Sequence, residues 1–164
     1  MAVTADASRS TKTIHAYVSA AAPVHGRAGM GVVFVDAQGR VLRRIGRMLV
    51  GIHSRDAAMF RGILYALWNS RRLGSRWVVV HADTPRVVEQ INGLRDVDPE
   101  FVGPYLEIRA LLHAYRAARI VVDGTAWVRE AAGLADVARE HDTDETIEDL
   151  PLWTAQATEA RSSA

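Results

Sequence analysis

The chain of 164 residues has no cysteine, which excludes disulfides and thiolate-based zinc or iron–sulfur sites. No apolar run approaches bilayer-spanning length, and the opening MAVTADASRSTK lacks the apolar core of a secretory signal; the expected compartment is the cytoplasm, with no membrane partner. There is no internal repeat. Lysine is almost missing: Lys12 stands alone among 20 basic residues, the rest being arginine. His15, His25, His53, His81, His113 and His141 show no i, i+4 or other ligand spacing, so no metal is assigned to them.

What is present is an ordinary globular balance, 49% hydrophobic and 24% charged, on a chain long enough for one domain with its own core. The net charge of +1 hides an asymmetry. From Arg139 onward seven acidic residues face only Arg139 and Arg161, giving −5, while residues 1–138 carry +6. A basic, arginine-rich body suits a polyanionic partner, because the planar guanidinium fork matches phosphate; arginine-rich codon usage would produce the same bias. The expected organisation is a flexible leader over 1–11, a domain over 12–140 and a flexible acidic tail over 141–164. That tail carries Leu150-Pro151-Leu152-Trp153, a candidate docking peptide or a polyanion mimic folded back on the body.

Periodicity predicts strands at Thr13–Ala20, Met30–Asp36 and Arg40–Val50, with AAPVHGRAG as a loop and Asp36-Ala37-Gln38-Gly39 as a hairpin turn. Ser54–Arg72 reads as a helix: Met59, Ile63 and Leu67 form a stripe that Phe60, Leu64 and Trp68 widen, Ser54 or Asp56 caps the start, and Gly74 follows the end. Arg76–Ala82 is a strand whose near-continuous apolar run predicts burial on both faces. Asp83-Thr84-Pro85 opens a helix ending near Asn92-Gly93. A third helix starts at Asp98-Pro99-Glu100, with Phe101, Tyr105, Ile108, Leu111 and Leu112 as its apolar side. A strand over Arg119–Val128 and a helix over Glu130–Glu140 complete the order β-β-β-α-β-α-α-β-α. A mixed sheet covered by helices buries these faces.

Five segments, in this order and spacing, resemble the small bacterial form of the ribonuclease H family across residues 13–140. They are Gly26-x-x-Gly29-x-Gly31-Val32-Val33, Asp36-x-x-Gly39-Arg40-Val41-Leu42, Arg61-Gly62-Ile63-Leu64-Tyr65-Ala66-Leu67, the run from Ala82-Asp83-Thr84-Pro85 to Gln90-Ile91-Asn92-Gly93, and Arg129-Glu130 with Ala135-Asp136. The resemblance implies an α/β fold whose five-stranded mixed sheet has order 3-2-1-4-5 with strand 2 antiparallel. It also implies cleavage of the RNA strand of RNA–DNA hybrids by two magnesium ions. Magnesium wants near-octahedral oxygen ligands, and two ions about 4 Å apart must clamp the attacking and leaving oxygens. The family supplies four carboxylates for this.

Carried over position by position, two of the four carboxylates are Asp83 and Asp136, and the other two positions hold Val18 and Met59. Ser19 follows Val18 where a glycine is usual, and no histidine lies between Asp123 and Asp136. Valine and methionine cannot ligate magnesium, so the expectation is a degenerate site in which Asp83 and Asp136 hold at most one weak ion and no cofactor is required. Each has a plainer role: Asp83 or Thr84 as a helix N-cap, Asp136 as a solvated helix residue. Asp56, one turn before Met59, is read as a cap rather than a replacement ligand. His81 shares a sheet face with Asp83 by period-two alternation. Arg55, Arg61, Arg86, Arg95 and Arg129 lie on segments flanking the family's substrate groove and are the candidate nucleic-acid contacts. The chain from Gly93 to Pro99 is too short for the basic helical extension some members carry.

Three functional readings follow. The first is a pseudo-enzyme module that binds nucleic acid (hybrid, or structured RNA or DNA) or a protein partner without hydrolysis. The second is a magnesium-dependent ribonuclease H with rebuilt ligands, and the third a structural or homo-oligomerising domain.

Overall fold

The computed structural model describes residues 12–141; the expected leader and nearly all of the acidic tail lie outside them. Strands β1 (Ile14–Val24), β2 (Arg27–Val35) and β3 (Val41–Val50) form an antiparallel meander, followed by helix α1 (Arg55–Arg72) and strand β4 (Trp77–Ala82). Helix α2 (Pro85–Ile91), a 3₁₀ turn (Pro99–Phe101), helix α3 (Val102–His113), strand β5 (Ala117–Val122) and helix α4 (Ala126–His141) complete the fold. The sheet order is β3-β2-β1-β4-β5, with β1 parallel to β4 and β4 to β5 and β2 antiparallel to both its neighbours. This is the architecture expected.

Each face of the sheet has its own apolar layer. Ile14, Ala16 and Val18 of β1 and Val32 and Phe34 of β2 pack with Met59, Phe60, Ile63 and Leu67 of α1 in the larger core. On the other face Val33, Val35 and Ala131 are buried with Tyr17, Trp127 and Leu134 around them. The Gly29-x-Gly31 pattern has a direct physical cause here. A Cβ built on Gly29 would lie 2.0 Å from the Ala135 carbonyl oxygen, and one on Gly31 2.0 Å from that of Ala131, so α4 rests on bare backbone. The hairpin turn is as read: Gly39 has φ +82°, and Asp36 accepts from the amides of Gln38 and Arg40. Ser54, not Asp56, caps α1, its hydroxyl accepting from the Ala57 amide at 3.0 Å.

Four expectations are corrected. Residues 21–29 are not a loop: β1 runs to Val24 and β2 starts at Arg27, because only His25 and Gly26, both with positive φ, are needed to reverse the chain. β4 is not buried on both faces; its pattern alternates, since α4 packs mainly on β1–β3 and, among the described residues, no helix covers the β4–β5 half of that face. The last strand ends at Val122, not Val128, where Asp123 turns the chain by accepting from the Thr125 amide at 2.7 Å. The last helix therefore starts at Ala126, and Trp127 and Val128 belong to it.

Candidate functional site

Where β1 stops pairing with the C-terminal end of its parallel neighbour β4, Val18 lies opposite Ala82, with the first turn of α1 beside them. Alternation along β1 sends Val18 and Ser19 to opposite faces. Val18 is fully buried and fits against α1 because Gly62 has no side chain; a Cβ there would sit 2.7 Å from Val18 Cγ1. Met59 is also fully buried in this core.

Asp83 sits just past the end of β4 and accepts from three side chains. Ser19 Oγ donates to Oδ2 at 2.7 Å, Arg55 Nη2 donates to Oδ1 at 2.9 Å, and Thr84 Oγ1 donates to the same oxygen at 3.2 Å. Arg55 is itself fixed from three further directions: Nε donates to the Ala20 carbonyl at 3.0 Å, Nη1 to Thr84 Oγ1 at 2.8 Å, and Nη2 to Ser19 Oγ at 3.4 Å. A guanidinium anchored to β1 and to the residues just past β4 supplies the positive charge next to this carboxylate. Of the two residues read as a helix cap, Thr84 does occupy the N-cap position of α2, but without a side-chain capping bond. Its hydroxyl is engaged by Arg55.

Asp136 lies on the exposed side of α4. Asp56 is turned toward Arg86, 3.7 Å away. Among the described residues no group of three or more His, Cys, Asp or Glu side chains gathers as a metal-ion site. The donor set does not fit a two-magnesium centre: Val18 and Met59 offer no oxygen, and both Asp83 oxygens already accept from neighbours.

Of the candidate nucleic-acid arginines, Arg55 is committed to Asp83, Arg86 bonds Asp98 at 2.7 Å, and Arg95 bonds Glu89 at 3.0 Å. Arg61 and Arg129 are exposed and have no ion pair among the described residues. Arg61 edges a largely apolar groove of about 430 Å³ between α1, the β2–β3 strands and α3.

Two features escaped the sequence reading. One is the Ser19–Arg55 clamp, foreshadowed only by serine at a position where the family usually has glycine. The other is a polar cluster on the open half of the sheet. His81 Nδ1 lies 2.7 Å from Asp123 Oδ2, His81 Nε2 lies 3.0 Å from His15 Nδ1, and Tyr17 stacks on His81 with ring centroids 4.3 Å apart. Period-two spacing in His15-x-Tyr17-x-Ser19 and His81-x-Asp83 was the available signal; the strand register that joins the two runs was not. Burial pushes the His81 imidazole below the usual histidine range against the pull of Asp123. Burial, then the charge of His81, does the same to His15. At Asp123 burial pushes upward but is outweighed by hydrogen bonds with Thr125 and His81, leaving it below the usual carboxylate range.

Sheet order, strand directions and the helices packed on them define an RNase H-type fold. A family model described as reverse transcriptase-like matches residues 19–136, and the chain belongs to this RNase H-like family. No curated protein matches the chain. Among solved structures it is similar to RNase H1 of the halophilic archaeon Halobacterium salinarum, at 24% identity and a TM-score of 0.72 over 77% of this chain and 96% of that one. It is likewise similar to the N-terminal RNase H domain of Rv2228c from Mycobacterium tuberculosis, at 24% identity and a TM-score of 0.71 over 78% and 99%. LC11-RNase H1, solved in complex with RNA/DNA hybrid, matches at 21% identity and a TM-score of 0.70 over 77% and 96%. These likenesses show the fold. No helix among the described residues is long and apolar enough to cross a membrane.

Proposed function

We propose that this domain binds nucleic acid, with RNA–DNA hybrid as the first candidate, at the strand ends around Asp83, and does not carry out two-metal hydrolysis there. The observation that carries this reading is the state of Asp83. Its carboxylate is neutralised by Arg55 and bonded by Ser19, while the neighbouring positions, where the resemblance implies carboxylates, are the buried Val18 and Met59. A carboxylate paired this way does not repel phosphate as a free one would. Arg61 and Arg129 are the exposed arginines available for backbone contacts, and Arg55, Arg86 and Arg95 balance carboxylates near them. The RNase H1 relative solved with RNA/DNA hybrid supports hybrid as the ligand to try first.

The test pairs a cleavage assay with a binding titration on the full chain. With a labelled hybrid and magnesium, the unmodified protein is expected to give no cleavage above an EDTA control. It is expected to bind the hybrid with an affinity that falls steeply with salt, as phosphate contacts require. Arg61→Gln with Arg129→Gln should weaken binding and flatten the salt slope. Magnesium-dependent cleavage by the unmodified chain would overturn the non-hydrolytic reading. Absence of hybrid binding at low salt would overturn the nucleic-acid reading and leave the protein-partner alternative, which the exposed Trp68 and Leu106 favour.

A further inference from the structure

A cavity of about 310 Å³ opens at the other end of the sheet, lined by Lys12, Gly74, Ser75, Arg76, Trp77 and Arg116. It gathers three cations and an indole, with no carboxylate among the described residues of its wall. The length of β4, at ~3.3 Å per residue, separates it from Asp83 by about 20 Å.

The cations sit on a fixed frame. Ser75 is buried; its hydroxyl bonds the Lys12 carbonyl at 3.1 Å and accepts from the Trp77 amide at 3.1 Å. The Arg116 amide donates to the Arg76 carbonyl at 2.9 Å. Lys12, Arg76 and Arg116 are thereby tied to one another through their backbones. The Arg116 guanidinium lies over Trp77, 5.8 Å from the ring centroid, which orients it without neutralising it.

No carboxylate among the described residues pairs with Arg76 or Arg116. Several arginines elsewhere pair with a carboxylate, among them Arg40 with Asp36, Arg44 with Glu130, Arg55 with Asp83, Arg86 with Asp98, and Arg95 with Glu89; Arg61 and Arg129 do not, but they lie outside this cavity. Like charges held together by pinned backbones, with no paired carboxylate among the described residues, form a field that attracts a compact polyanion. Two guanidinium forks and an ammonium suit phosphate oxygens, and the indole gives an apolar wall for a ring. The volume lies at the lower end of the range for small-molecule sites. Two linked phosphates carry roughly three negative charges near neutral pH, matching the three cations.

We infer that this cavity is a binding site for a nucleoside diphosphate group, separate from the strand-end site around Asp83. Arg76 and Arg116 hold the phosphates, Lys12 adds charge, and Trp77 contacts the base.

The experiment is titration of the full chain with adenosine diphosphate and, separately, with inorganic pyrophosphate, read by calorimetry and by the Trp77 indole N–H resonance. Adenosine diphosphate is expected to bind, to shift the Trp77 resonance, and to bind at least threefold more tightly than pyrophosphate. Arg76→Gln with Arg116→Gln should weaken it at least tenfold. Arg27→Gln with Arg109→Gln removes the same charge from exposed positions elsewhere and should leave the affinity unchanged. Equal loss in both double variants would overturn the site as a mere net-charge effect. Equal affinity for the two probes would overturn the nucleoside assignment, and no binding of either would overturn the inference outright.

Discussion

Asp83 and Arg55 carry most of what distinguishes this site at the scale of single residues. Arg55 reaches the Ala20 carbonyl, Thr84 and Asp83 from one guanidinium, so it joins the start of α1 to the middle of β1 and the end of β4. Replacing it by alanine leaves Asp83 with hydroxyl donors only and removes a charge-assisted bond, at a cost of roughly 1–3 kcal/mol. Denaturant unfolding of Arg55→Ala should show that loss. Arg55→Lys should recover little of it, because one ammonium cannot serve three acceptors in the planar fork's directions. A midpoint unchanged by Arg55→Ala would mean the clamp is incidental.

The arginine's place in the sequence, one residue after a capping serine, marked it as part of a basic flank and no more. Its role depends on where β1 and the end of β4 come to lie. Val18 and Met59 were easier to read, because two apolar side chains at positions where carboxylates are implied are visible without coordinates. Their full burial adds that a carboxylate restored at either position would enter an apolar core, at a desolvation cost of several kcal/mol unless a partner accompanied it.

At the scale of elements, β2 and α4 meet backbone against backbone. Gly29 and Gly31 face Ala135 and Ala131 backbone at distances no Cβ can share. Gly31→Ala should therefore push α4 off the sheet and destabilise the fold by about 3 kcal/mol, toward the upper end of what overpacking usually costs. The thermal midpoint measures this. Gly133→Ala, on the same helix with no atom near the added Cβ, should stabilise slightly through helix propensity. Equal behaviour of the two variants would contradict the close-packing account. The glycine pattern itself stood out in the sequence, but its partner helix could not be identified from it. The same limit explains the misplaced start of α4: Trp127 and Val128 read as strand by type, and the Asp123–Thr125 turn decides otherwise.

For the whole molecule, the balance of protons between folded and unfolded states links the sheet cluster to stability. His15 and His81 are both held below the ordinary histidine value of 6.5, with Asp123, Tyr17 and Arg119 as the charged or titratable groups around them. The unfolded chain then takes up protons at a higher pH than the folded one does. Stability is full above about pH 6.5 and falls as the pH drops through the folded-state values. Thermal midpoints should decline from pH 7.5 toward pH 5, and less steeply for His15→Gln with His81→Gln. A midpoint that rises on acidification over this window would contradict the burial of neutral imidazoles.

Local chemistry was enough to specify the class of fold. Alternating apolar runs, the Ser54 cap, the Asp36–Gly39 turn and the spacing of glycines are short-range signals, and each element they predict exists, with ends moved by a few residues. That Val18 and Met59 offer no carboxylate, at positions where the resemblance implies one, was equally legible, since a side chain that lacks oxygen lacks it in any conformation. Tertiary structure alone decided the partnerships: Arg55 with Asp83, His15 with His81, and the convergence of Lys12, Arg76 and Arg116. These pairs are up to 104 positions apart, and their meeting depends on strand order, register and the direction in which each side chain leaves its pleat. None of those is encoded within a single segment.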